Sequence, residues 1–409
     1  LAGSFAELID CPDCGTLQRV PQRDRWTVLF CKHCQGVLER SNLRSEAAAL
    51  AVSFSALLLF IPALTFPFLT TSILGAYRTS RLYSSSTAMF ADGWPALSFV
   101  IFAFIVAAPL VRFSLMTGVL GALHFNRHPR WLGRAFRYAN GLQTWAMTDV
   151  YLIGMLVAYF RLKTSLVVEM GIGAECFIAV GILSLFLRAL LDQGEIWRRI
   201  FSQENTVPEP LDETAFTCDV CELIVPARLV GHQCPRCSHR LARRRPAAVQ
   251  RAVALTIAGA ILYIPANAYP IATLPIGFSS VKYTVIEGVI DLAKANLWGL
   301  ALLVLTASFA IPLLKLAGIV WCIASVLMRS ESSLRLKTRV FRVIEEIGRW
   351  SMIDPFVISC FVPITQYNAL IYGRAEPAAP AFTAVVILTI VATKCFDPRL
   401  MWDVQGKNK

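Results

Sequence analysis

Apolar positions gather into runs long enough to cross a bilayer, and the runs fall in two sets of four. At about 20 residues per span, they lie near 47–67, 96–123, 144–160 and 172–191, then near 249–270, 297–328, 350–372 and 379–396. Polar stretches divide the sets. Residues 1–45 form a small polar module, 46–200 a first membrane domain and 201–214 an acidic linker. Residues 215–245 form a second polar module, 246–398 a second membrane domain and 399–409 a tail.

The second set repeats the first. Cys34 and Cys237 lie 203 residues apart, and so do Pro62 and Pro265. Ile61-Pro-Ala-Leu-Thr-Phe-Pro67 at the end of the first run returns as Ile264-Pro-Ala-Asn-Ala-Tyr-Pro270. A repeat of this kind sets the fold before any single element does. The expected class is an α-helical polytopic membrane protein built as a tandem repeat. Each half is a zinc-ribbon-like module followed by four transmembrane helices.

Charge sets the orientation. The chain has 409 residues, 56% hydrophobic and 16% charged, with a net charge of +12. The loop 124–143 holds Arg127, Arg130, Arg134 and Arg137 without an acid, and the loop 329–349 is also rich in Arg and Lys. Short basic loops stay cytoplasmic. An even number of spans per half then puts both polar modules and both termini in the cytoplasm and makes the halves parallel repeats. The same rule accounts for the positive charge without nucleic acid, for which no base-stacking motif is present. On the opposite side, residues 71–95 and 273–296 are longer than turns. Gly75 and Gly277 suit hairpin turns, and Val285, Ile286, Val289, Ile290 and Ala293 predict an interfacial helix over 284–295,.

Eight of the twelve cysteines form C-x-x-C pairs: Cys11 with Cys14, Cys31 with Cys34, Cys218 with Cys221 and Cys234 with Cys237. Two such knuckles per module supply four thiolates, a complete tetrahedral shell for structural zinc with no position left open for catalysis. Spacing alone leaves iron as an alternative. Pro12, Gly15 and Pro235 are turn residues at the knuckles, and His33, His232 and His239 read as solvated neighbours. Cys176, Cys322, Cys360 and Cys395 lie in apolar context and read as buried thiols. Paired thiols of this kind suit a reducing compartment. No cleavable signal peptide is expected ahead of the first pair.

Charges inside spans are the other candidate chemistry. Pro109-Leu-Val-Arg112 recurs as Pro312-Leu-Leu-Lys315, and Trp145-Ala-Met-Thr-Asp149 recurs as Trp350-Ser-Met-Ile-Asp354. Each half places a cation in its second span and an acid in its third, at depths that predict Arg112 opposite Asp149 and Lys315 opposite Asp354. A charge in the bilayer core costs at least about 2.5–3.5 kcal/mol, so it is rarely idle. The pairs are either structural staples or a polar cleft that handles a headgroup or a proton. Arg suits phosphate through its planar fork, and Lys suits a movable charge. Asn267, between Pro265 and Pro270, offers polar groups where the first span of the second half is expected to bend or end,.

Taken together, these motifs resemble the paraquat-inducible protein A family across nearly the whole chain. Gly348-Arg-Trp-Ser-Met-Ile-Asp354 and Asp397-Pro-Arg-Leu-Met-Trp402-Asp403 add to the match. The first half departs from it: Arg112 stands where the second half has Lys315, and no Gly-Arg precedes its tryptophan. The resemblance implies a bacterial inner-membrane protein of a Gram-negative envelope, partnered by a periplasmic MCE-domain protein that conducts phospholipid toward the outer membrane. The expected function is exchange of phospholipid with that tunnel. The alternative is a membrane-anchored zinc-thiolate redox or stress sensor, against which saturated tetrads argue. No P-loop motif is present, and no Ser-His-Asp set or open metal site points to an enzyme.

Overall fold

The structure, a computed structural model, describes residues 7–20, 28–40, 46–73, 76–163, 167–200, 216–276, 279–365 and 374–403. The first module is two antiparallel ribbons, β1 (Glu7–Asp10) with β2 (Leu17–Val20) and β3 (Val28–Phe30) with β4 (Val37–Arg40). The first half follows as α1 (Glu46–Thr65), the hairpin β5 (Leu69–Ile73) and β6 (Ala76–Ser80), α2 (Ser84–Ala91), α3 (Pro95–Phe102), α4 (Ala108–His124), α5 (Leu132–Leu142), α6 (Thr148–Lys163), β7 (Val167–Met170), α7 (Ile172–Leu190) and α8 (Gln193–Ile200). The second module holds β8 (Phe216–Thr217) and β9 (Ile224–Val225). The second half runs α9 (Ala248–Ala268), the hairpin β10 (Ala272–Ile276) and β11 (Ser279–Tyr283), α10 (Val285–Lys294), α11 (Trp298–Leu305), α12 (Ile311–Leu327), α13 (Leu334–Ile347), α14 (Ile353–Thr365), β12 (Arg374–Ala375) and α15 (Ala378–Cys395).

The duplication is visible element by element. Each half folds a three-stranded antiparallel sheet in the same order, β6-β5-β7 and β11-β10-β12. The third strand lies between the third and fourth helices, so it closes that connection onto the hairpin after the first helix. The turn residues 74–75 and 277–278, including Gly75 and Gly277, lie outside the described residues. The strands expected around them pair as a hairpin, Leu69 opposite Ser80 and Ala272 opposite Tyr283.

Each second helix is long and carries the same irregularity. Pro95–His124 and Trp298–Leu327 span 30 residues each. Both widen into π-helical turns, at Ala103–Ala107 and Thr306–Ala310. Pro109 and Pro312 follow directly. A proline lacks the N–H that would bond four residues back, and its ring crowds that carbonyl. A local widening accommodates both defects. Pro62 and Pro265, expected to bend or end their helices, lie inside the last turns of α1 and α9.

Among the described residues, seven helices are long and apolar enough to cross a membrane, with Thr148–Phe160 a shorter apolar eighth. The apolar runs predict eight full spans. The shortfall is in the third span of the first half, where the chain turns at 143–147 before α6 begins. In the second half the matching segment is one helix, Leu334–Ile364, of 31 residues. The basic loop expected at 329–349 is therefore mostly helical, as is 132–142 in the first half. The interfacial helix expected at 284–295 is α10, whose Thr284 and Glu287 form a reciprocal capping box,. Its buried face is Val285, Gly288 and Leu292, while Ile286 and Ile290 of the expected apolar set are exposed. The first half has the equivalent helix, α2, which sequence analysis did not predict.

The two halves meet through their third helices. The most apolar stretch of Leu334–Ile364 is 89% buried inside the molecule, against 28% for α1. Gly154 of α6 faces α14, and a Cβ there would lie 3.1 Å from that of Phe356. Ring contacts of Tyr151 with Phe356 and Phe177, at 5.5 and 5.4 Å between centroids, knit the same region. Of the four isolated cysteines, Cys322 and Cys360 are buried as expected, whereas Cys176 and Cys395 are partly exposed.

Candidate functional site

Both four-cysteine sets close into buried clusters. In each, the four Sγ atoms lie within 4.8 Å of one another. The nearest pairs are Cys11–Cys34 and Cys221–Cys234 at 3.5 Å, with Cys14–Cys31 and Cys218–Cys237 at 3.6 Å. Four sulfurs about 2.3 Å from a central ion would stand about 3.8 Å apart, so the donor set fits zinc. Each knuckle is made the same way. The N–H four residues after the first cysteine bonds back to its carbonyl, as Gly15 to Cys11, Gln35 to Cys31, Glu222 to Cys218 and Ser238 to Cys234. All four of these residues have positive φ, and only one is glycine. That left-handed turn lets both thiols of a pair face one point, and the single Gly15 was its only sequence trace.

The modules dock crosswise. The first module sits on the second half: Arg342 of α13 donates to Asp13 at 2.7 Å and to Cys34 Sγ at 3.4 Å, and Arg335 donates to the His33 carbonyl at 3.0 Å. The His33 ring is exposed, as expected, and lies tilted against Trp402 with centroids 4.6 Å apart. The second module sits on the first half: Arg137 of α5 donates to the Cys237 carbonyl at 3.1 Å and Arg134 to Ser238 Oγ at 3.3 Å. Gly133 is needed there, because a Cβ would strike the Arg236 carbonyl. The C-terminal segment locks the pair. Arg399 bonds Asp397 at 3.0 Å and Asp219 at 2.6 Å. Burial pushes the Asp397 carboxyl up, but the hydrogen bonds and charge of Arg399 outweigh it and hold it below the usual carboxylate range,. This lock is therefore present at neutral pH and is lost only as pH falls through that lowered value.

Inside the spans, Arg112 is 1% exposed and Lys315 2%. The structure pairs them differently from the expectation. Lys315 Nζ donates to Thr389 Oγ1 at 2.8 Å and to the Gly348 carbonyl at 3.3 Å, both neutral. Arg112 Nη1 donates to Ser184 Oγ at 3.5 Å. Asp149 pairs with Arg188 at 3.5 Å and Arg349 at 3.8 Å rather than with Arg112. Asp354 is buried at the start of α14. Asn267 bonds the Tyr263 carbonyl of its own helix at 2.9 Å, and no hydrogen bond among the described residues joins it to the charged ones.

The hydroxyl partners were missed by sequence analysis. Ser184 and Thr389 lie 205 residues apart, the same offset as Trp145 and Trp350. Each is the fourth-helix acceptor for its half's buried cation. That shared offset was the signal available. Arg112 keeps Nε and Nη2 without an acceptor, and Thr148 Oγ1 and Ser351 Oγ are likewise unsatisfied. Each such buried donor costs about 1–3 kcal/mol.

A mostly helical, multi-pass membrane protein carrying two buried four-cysteine clusters and paired intramembrane cations is the class these features define. The chain belongs to the paraquat-inducible protein A family, whose profile matches residues 47–201 and 249–405. It is 29% identical over 393 residues to "Lipophilic envelope-spanning tunnel protein A" of Escherichia coli K12, covering 96% of this chain and 90% of that protein. It is 27% identical to "Intermembrane transport protein PqiA" of the same strain, over 99% of this chain and 97% of that one. A "Probable intermembrane transport protein" of Haemophilus influenzae is 25% identical over 98% of this chain and 97% of its own. No solved structure matches the chain.

Proposed function

We propose that this protein is the inner-membrane component of an MCE-type intermembrane phospholipid transport system, exchanging lipid with a periplasmic MCE-domain tunnel protein. The names of its relatives, intermembrane transport protein and envelope-spanning tunnel protein, support the setting. The observation that carries the mechanism is the buried ammonium of Lys315, three residues after Pro312 and held by neutral oxygens. An ionisable side chain inside a span is a functional-site candidate by default, because placing it there is costly. Lys315, Thr389 and Asp354 form the working cleft in this reading, with Arg112 and Asp149 in a subordinate role and Asn267 at the outer end of α9. Zinc in each four-cysteine cluster would supply folding energy and fix the knuckles. Cys11, Cys14, Cys31 and Cys34 would hold one ion, and Cys218, Cys221, Cys234 and Cys237 the other.

Each half contributes four spans, the shorter Thr148–Phe160 included, and the halves are parallel repeats with modules and termini in the cytoplasm. The basic segments 124–143 and 329–349 support that orientation,. A membrane-impermeant thiol reagent applied from the periplasm should label a cysteine placed at Tyr77 and miss one placed at His128; the reverse pattern overturns it. The functional test is complementation of a transport-deficient strain. A Lys315→Met/Asp354→Leu variant should reach the membrane at normal level and fail to restore envelope lipid transport. A fully active double variant would reduce both residues to scaffolding, since buried charged groups replaced by apolar ones of similar size are often tolerated when structural.

A further inference from the structure

An open pocket of about 480 Å³ lies where the first half meets the second. Arg188, Arg342, Arg349 and Lys394 line it against the acids Glu345 and Glu346. The excess of cation continues behind the wall. Asp149 is bonded to both Arg188 and Arg349. Arg112 bonds Ser184, one turn before Arg188 on α7. Arg188 and Arg349 thus share Asp149, and the buried Arg112 beside them still holds Nε and Nη2 with no acceptor. A staple between helices would be neutral and saturated; this cluster is neither. What it lacks is an anion offering several oxygens to forked donors, which is the chemistry of a phosphoryl group.

The rim supports the same reading. Glu346 accepts from both Arg188 and Arg349 at 3.3 Å, yet its side chain is 73% exposed. A carboxylate so exposed is easily exchanged for a stronger anion. We propose that Arg188 and Arg349, backed by the buried Arg112, form a phosphoryl-binding site that takes a phospholipid headgroup through the pocket between the halves. This rests on the lipid-transport reading above and assigns its headgroup site to the junction of the two halves.

The test is calorimetric titration of the purified protein in detergent with dihexanoyl-phosphatidylglycerol, with dihexanoylglycerol and with inorganic phosphate. The phospholipid should bind saturably and dihexanoylglycerol should not. Arg188→Gln and Arg349→Gln, both near the pocket wall, should weaken phospholipid binding about tenfold or more, the loss of one charged hydrogen bond. Glu346→Gln should strengthen it, because it frees both arginines. Zinc content and elution volume matching wild type establish that each variant is folded. Unchanged affinity in both arginine variants, or equal binding of dihexanoylglycerol, overturns the site. Inorganic phosphate competing at equal concentration overturns the lipid source and assigns the same site to free phosphate. Wild-type complementation is read in parallel: its failure defeats the transport reading and leaves the binding result standing.

Discussion

Arg112 and Lys315 occupy one position in two copies of the same unit, and their surroundings differ. Both follow a π-helical turn and a proline, and both donate to a hydroxyl on the fourth helix. Around Lys315 the third helix tightens into a 3-10 turn at Gly348–Met352 without breaking, and the Gly348 carbonyl takes a second bond from the ammonium. Around Arg112 the third helix is broken at 143–147, and two further arginines gather on Asp149. Duplication preserved the framework while the charge chemistry diverged. The second half holds a compact ammonium among neutral oxygens, suited to a charge that moves. The first half holds fixed forks, suited to an oxyanion.

The largest effects should come from the modules, because docking is crossed. Cys218→Ser should lower the membrane level of the protein severalfold, since a broken structural site forfeits folding energy, and the damage should appear in the first half, around α5. Cys11→Ser should loosen the second half, around α13. Hydrogen exchange of the purified variants reads this, and elemental analysis of wild type should find two zinc ions per chain. If each cysteine variant loosens its own half, the crossed docking is wrong.

A smaller effect is expected where the halves touch. Gly154→Ala forces a Cβ against Phe356 and the Ile353 carbonyl, which backbone packing cannot easily relieve. It should cost about 1–3 kcal/mol in unfolding free energy. Gly181→Ala meets only the Leu152 side chain and should cost well under that. Equal losses in thermal unfolding would mean the third-helix crossing is looser than described.

Much of this was legible in the chain. Apolar runs gave the span positions, because lipid demands continuous apolar helices, and C-x-x-C spacing gave both clusters. The buried cations were legible too, since a charge inside an apolar run stands out. Their partners were not. Ser184 and Thr389 look like ordinary small polar residues of a membrane helix; their shared offset hints at equivalence, but distance in three dimensions is what assigns them to the cations. The pairing of Asp149 with Arg349 joins residues 200 positions apart, which depth arguments within one half cannot reach. Crossed docking was equally hidden, because adjacency in sequence favours a module on its own half. The third helix of the first half was placed four residues early, because an apolar run does not show where its backbone turns.

The account centres on Lys315 as a working group whose ammonium, and not merely its positive charge, is required. A Cβ on Gly348 would stand 3.2 Å from both Lys315 Cε and Nζ, so the ammonium packs directly against the bare Gly348 backbone. The most direct measurement is complementation of a transport-deficient strain by Lys315→Arg, beside Arg112→Lys, with membrane levels matched. The account predicts that Lys315→Arg fails while Arg112→Lys retains partial activity. Full activity of Lys315→Arg at normal level would contradict it.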